Sequence, residues 1–156
     1  MQRIFLLGFV LGICLGVPGS VAAQSPAAPA VTLERATRVA AAAETEARRN
    51  NWNVVVAIVD ESGYLVLLRR MDNTQLGSVA VAQEKATSAV LFRRPTKAFA
   101  EAVASGRTAV LGLPGAIPIE GGIPLLAGGR VVGAIGVSGV TAEQDGQIAQ
   151  AGVKAF

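Results

Sequence analysis

Histidine is absent from the 156 residues, and cysteine occurs once, at Cys14. The first absence removes the commonest general base, the commonest metal ligand and the usual axial ligand of haem iron. The second excludes a disulfide framework and a cysteine-built zinc cluster, so neither zinc nor a disulfide is expected. Charge is sparse too: Asp, Glu, Lys and Arg make up 16% of the chain, with a formal net charge of +3. Basic residues this few and this scattered do not make a nucleic-acid surface. Aromatic residues amount to 4%, whereas apolar residues as a class reach 51%. That composition excludes a disordered chain, and the length suits one domain.

Part of the apolar content belongs to a leader rather than to a fold. Residues 1–23 carry a positive residue at Arg3, an apolar run from Ile4 to Val17 and a break at Pro18-Gly19-Ser20. Small residues follow at Val21-Ala22-Ala23. This layout reads as a secretory signal peptide cleaved after Ala23. A lipoprotein anchor on Cys14 fits less well, because bulky Ile13 precedes it. The run is short for a membrane span. The expectation is a periplasmic or secreted protein with no stable membrane anchor after cleavage. Residues 24–31 form a Pro/Ala linker, and residues 32–156 form the domain.

Along that domain the periodicity changes several times. Thr32 can cap a helix reaching Arg49, with Leu33, Ala36, Ala40, Ala43 and Ala47 on one face. Residues 52–59 (WNVVVAIV) read as a strand, Asp60-Glu61-Ser62-Gly63 as a turn, and residues 64–68 (YLVLL) as the returning strand. Arg69, Arg70 and Met71 then lie at its exit. Residues 78–92 read as a second helix with a stripe of Val79, Ala82, Ala86 and Ala89. Pro95 ends it, and a short helix follows Thr96 and stops at Gly106. Three strands are expected next, at residues 117–119, 123–127 and 130–137, the last two joined by Gly128-Gly129. Thr141 to Gln144 has the form of a capping box opening a last helix. The order α-β-β-α-α-β-β-β-α, with tight hairpins, predicts an α+β domain: an antiparallel five-stranded sheet flanked by helices.

The residues that can carry chemistry each have a plainer reading beside the functional one. Glu120-Gly121-Gly122 sits between strands, where glycine N–H groups can meet an anion and Glu120 can move a proton; a tight turn with a solvated glutamate explains it equally. Lys85 lies beside Val81, Ser88 and Phe92 and can hold a ligand, although lysines usually snorkel to water. Arg69, Arg70 and Met71 can meet an acidic ligand, and Met71 can ligate haem iron, although a methionine is more often core filling. In the last strand Ala134, Gly136 and Ser138 share a face with Arg130 and Val132, and Gly133 and Gly136 read as points of close helix packing. GAIGVSG matches neither a dinucleotide fingerprint nor a Walker loop nor a nucleophile elbow. Asp145 is explained by the helix dipole alone.

Three segments in order carry a resemblance: AIVDESGYLVLLRRMD at 57–72, QEKATSAVLFRRPTKAF at 83–99, and IEGGIPLLAGGRVVGAIGVSG at 119–139 followed by Gln144-Asp145. Together they resemble the GlcG/HbpS family of haem-binding and haem-degrading-type domains. The same domain also forms the C-terminal part of PduO-type adenosyltransferases. The resemblance implies a compact domain with a five-stranded antiparallel sheet and assembly into homo-oligomers. It implies haem as a cofactor for some members, while others accompany glycolate metabolism. It carries over Arg69, Met71, Lys85, Glu120, Gly121, Gly122 and Ser138 as cofactor-site candidates, with Glu120 and Lys85 as catalytic candidates. Because histidine is absent, an axial haem ligand here would be Met71, Tyr64, Lys85, a hydroxyl or water. The leading expectation is an exported oligomeric haem-binding protein. The alternatives are an enzyme or accessory protein for a small hydroxy- or oxo-acid, and a ligand-free assembly protein.

Overall fold

The computed structural model describes residues 30–156. The expected leader, and the linker up to residue 29, lie outside the described residues. Helix α1 (Leu33–Arg49) starts where Thr32 Oγ1 accepts the N–H of Arg35 at 3.3 Å, with Glu34 in its first turn and Arg48 and Arg49 in its last. Both charge placements suit the helix dipole. Strand β1 (Val55–Asp60) is β-branched and buried, and it turns into β2 (Leu65–Arg70). The turn forms because Asp60 Oδ1 accepts the N–H groups of Ser62 and Tyr64, each at 2.9 Å. Strand β2 runs two residues further than expected, so Arg69 and Arg70 lie inside it rather than at its exit.

Helices α2 (Ser78–Leu91) and α3 (Lys97–Ala104) follow, then a short 3₁₀ turn at Thr108–Gly112. Strands β3 (Gly122–Ala127) and β4 (Arg130–Ser138) make the second hairpin, and α4 (Ala142–Val153) closes the chain. Gly128 and Gly129, at φ 56° and 78°, supply the two left-handed residues that a tight hairpin turn needs. At Thr141 the capping box forms in both directions. No helix among the described residues is long and apolar enough to cross a membrane.

The sheet is antiparallel with order β2-β1-β4-β3, so it has four strands and not the expected five. Residues 117–119 are not a strand. Pro118 has no N–H to give a ladder, and the N–H of Ile117 is donated to Ser88 Oγ at 3.0 Å. Strand β4 starts at Arg130 as expected, but strict alternation puts Val131 and Val132 on the wrong faces. Its pairing with β3 shifts between Leu125 and Leu126, which partner Gly133 and Val131 and leave Val132 as an extra residue. Beyond that bulge the side chains change faces. Val132 therefore joins the core with Ile135 and Val137, while Val131 lies with Ala134.

Helices α1 and α4 cover one face of the sheet and α2 covers the other. The first layer buries Ala36, Val39, Ala40, Ala43 and Ala47 against Val56, Ile58, Ile135 and Val137. The second buries Ala82, Ala86 and Ala89 against Val55, Ala57 and Ala134. Small residues on both helices bring their backbones close to the sheet, and the site depends on that closeness.

Candidate functional site

The Glu120 loop is held at the junction of α2, α3, β4 and α4. Thr96, just before α3, clamps Gly122 from both sides: its N–H donates to Gly122 O at 3.0 Å, and its Oγ1 accepts the N–H of Gly122 at 3.0 Å. Gly121 O accepts the N–H of Val137 at 2.9 Å. A Cβ on Gly121 would stand 2.6 Å from Val137 O and 2.9 Å from Lys85 Nζ. The glycines thus mark close approach of backbone to backbone. The expectation of free N–H groups for an anion fails at Gly122, because Thr96 already uses that donor.

Beneath Gly121 lies a buried ion pair. Lys85 is 1% exposed, and its Nζ stands 2.7 Å from Asp145 Oδ2 and donates to Val137 O at 3.0 Å. Asp145 Oδ1 accepts the N–H of Val140 at 3.2 Å. Lys85 does not snorkel, and Asp145 does more than face a helix dipole: together they tie α2 to α4 across the end of β4. Sequence reading put Lys85 on a helix stripe with Val81 and Ser88, which was the available signal of burial. Nothing local linked it to a carboxylate 60 positions away.

Burial pushes the Asp145 carboxyl above its ordinary pKa of 3.8, against the opposing pull of Lys85 and of the Val140 and Gly139 amides. A raised folded-state pKa means that folding favours the protonated form. This contribution to stability is therefore full below about pH 3.8 and is lost as pH rises through the folded pKa. Relative to Asp145→Asn, wild type is expected to lose stability as pH rises from 3 toward neutrality. Urea unfolding of both proteins across that range checks it, and a gap moving the other way would refute the assignment.

Above the glycines a cleft of about 440 Å³ opens, lined by Lys97, Glu120, Ile123, Glu143 and Gln147. Glu120 Oε2 lies 3.1 Å from Lys97 Nζ. The hydrogen bond and charge of Glu120 raise the Lys97 pKa. The Glu120 side chain packs against Gly146 of α4, where an added Cβ would meet its carboxylate and displace it. Sequence reading missed Lys97 and Gly146. Their link to Glu120 spans 23 and 26 positions and exists only once α3 and α4 have packed.

The other candidates lie elsewhere. Arg69 Nη1 is 3.4 Å from Glu44 Oε2, which also holds Arg48 at 3.1 Å. Met71 is half-buried against the α1 side of the core and lines a separate cleft of about 320 Å³ with Arg48, Arg70, Asn53 and Asp72. Ser138 is buried, and its hydroxyl donates to Ser78 Oγ at 3.3 Å, tying β4 to the start of α2. Lys85, Glu120, Gly121 and Gly122 thus form one cluster, whereas Arg69 with Met71, and Ser138, belong to different surroundings. Among the described residues no group of three acidic or sulfur ligands can hold a metal ion.

Comparison with known proteins places this architecture. Protein GlcG of Escherichia coli K12 is 43% identical over 105 residues, covering 67% of this chain and 78% of that protein. The crystal structure of HbpS superposes with a TM-score of 0.76 at 34% identity, covering 91% of this chain and 99% of the other. A PduOC–haem complex superposes with a TM-score of 0.74 at 29% identity, covering 82% and 96%. Residues 31–154 match the family described as haem degrading protein HbpS-like. The chain belongs to that HbpS-like family.

Proposed function

We propose that this protein is an exported, oligomeric binding protein for haem or a similar planar tetrapyrrole. The observation that carries the reading is the family match over nearly the whole described chain, joined by the likeness to a relative crystallised with haem. The layout of residues 1–23 supports export.

The chain's own residues narrow where such a group can bind. Lys85 does not fit as a ligand, because its ammonium is enclosed by Asp145 and Val137 O. Tyr64 is 74% exposed at the far end of β2 from Met71, about 20 Å away along the strand. The Met71 cleft fits better. It sets Met71 beside Arg70, whose guanidinium suits a carboxylate side chain of a tetrapyrrole, while Arg48 in the same cleft is already held by Glu44. At about 320 Å³ it takes an edge of the macrocycle rather than the whole. In this reading a second subunit of the oligomer covers the exposed face. Bound haem would supply redox and ligand-binding chemistry, while the chain's residues hold its edge and exclude water from one side.

Haemin titrated into purified protein without a histidine tag tests the reading. The expected result is a saturable Soret shift approaching one haem per subunit, weakened in Met71→Ala. An unmoved Soret band would overturn it. The alternative, a small hydroxy- or oxo-acid at the Glu120 cleft, is favoured by the Glu120–Lys97 pair, with Lys97 as the cation in place of Lys85 and Arg69. Glu120→Gln leaving small-acid binding and turnover unchanged would remove that alternative.

A further inference from the structure

We infer that a third cleft, between the two hairpin turns and the end of α2, binds an oxyanion group, a carboxylate or phosphate, through Arg93 and Arg130. This inference does not rest on the tetrapyrrole reading.

The topology builds the cleft. Strands β1 and β4 are antiparallel neighbours, with Asp60 opposite Gly133, so the turn leaving β1 and the turn entering β4 lie at one end of the sheet. The last turn of α2 reaches the same end, where Thr87 and Val90 approach Gly63. The resulting space of about 460 Å³ has Ser62 and Glu61 on one turn, Arg130 on the other and Arg93 just beyond α2, over a floor of Val90 and Val131.

Two features bear on these arginines. The first is the charge of the cleft. Among the described residues neither Arg93 nor Arg130 has a carboxylate within 4.0 Å, which is also true of Arg35, Arg70, Arg94 and Arg107, and Glu61 is the one carboxylate that lines this cleft. Two cations against one carboxylate leave the cleft net positive, with the Ser62 hydroxyl as a further donor. Guanidinium groups match the spacing of carboxylate and phosphate oxygens, which they hold in a two-pronged way.

The second feature is backbone strain. Arg93 has φ 53°, in the left-handed region. It closes α2: its N–H donates to Val90 O, and the N–H of Arg94 donates to Ala89 O, each at 3.2 Å. Glycine is the residue that takes this closing position without strain. An arginine held there against its backbone preference, and facing a concave cleft, is the pattern of a residue kept for binding.

The two features are separable by experiment. Isotope-labelled protein, purified without a histidine tag, is titrated with sodium phosphate and with sodium malonate at fixed ionic strength. The amide signals of Ser62, Gly129 and Arg130 are followed. They are expected to move saturably with at least one anion, and the tighter one identifies phosphate or carboxylate as the group preferred. Arg93→Gly is expected to raise Tm by about 3 °C through relief of strain while weakening anion binding about tenfold. Arg130→Gln, which changes no strained position, is expected to weaken binding to a similar degree. Amides unmoved by both anions, or unchanged affinity in Arg93→Gly, would overturn the inference.

Discussion

Lys85→Ala is expected to destabilise the fold by about 3–5 kcal/mol, the largest effect of any single side-chain truncation considered for this chain. The magnitude follows from what remains. Asp145 is 2% exposed, so removing Lys85 leaves a buried carboxylate whose chief counter-charge, 2.7 Å away, is gone. The amides of Val140 and Gly139 still act on it, but neutral backbone donors do not balance a buried charge. The lost stem adds a cavity between α2 and the Glu120 loop. Equilibrium urea unfolding should show the drop, with Tm lower by on the order of 10 °C or more. The double variant Lys85→Met with Asp145→Leu is expected to recover most of the loss, because an apolar pair removes the charge burial altogether. A double variant as unstable as Lys85→Ala would show that the pair does something an apolar contact cannot replace. A loss below about 1 kcal/mol in Lys85→Ala would show that water reaches the carboxylate.

Gly136→Ala is expected to cost about 3 kcal/mol, at the upper end for overpacking. A Cβ there would press on the backbone oxygen of Ala82 and stand 2.6 Å from the backbone nitrogen of Ala86. Neither neighbour is a flexible side-chain tip, so α2 as a whole must lift from β4. Lifting it opens the layer holding Ala82, Ala86 and Ala89 and pulls Lys85 away from Asp145. Gly77→Ala is the control. Nothing lies within 4 Å of its Cβ position, and its φ of −59° suits any residue. That change is expected to be neutral or slightly stabilising. Thermal unfolding of both variants decides the matter: equal Tm values would mean that the helix–sheet contact at Gly136 yields without strain.

The two substitutions mark the boundary between what local pattern specifies and what packing specifies. Leu33–Arg49 was legible as a helix because Thr32 caps it and its alanines recur at helical spacing. The β1–β2 turn was legible because Asp60 bonds amides two and four residues ahead. The same holds for the Gly128-Gly129 turn and the Thr141 capping box, whose hydrogen bonds and dihedral angles lie within a few residues. The β-branched strands and the order of elements apart from the supposed strand at residues 117–119 belong to the same class, and so does the family resemblance, carried by three short segments in sequence.

What the chain's linear order could not decide depends on distant partners. The supposed strand at residues 117–119 was lost to a hydrogen bond with Ser88, 29 positions away. The faces of Val131 and Val132 depended on a bulge that exists only once β3 has paired with β4. Lys85 read as a ligand group or a solvated lysine because its partner, Asp145, stands on another helix. Glu120 read as a loop carboxylate because Lys97 and the bare backbone of Gly146 approach it only after α3 and α4 have docked. Capping, turn geometry and apolar period are short-range and survive in one dimension. The enclosure of a charge, the strain of Arg93 and the convergence of two turns on one cleft come from long-range packing, and only the tertiary structure decides them.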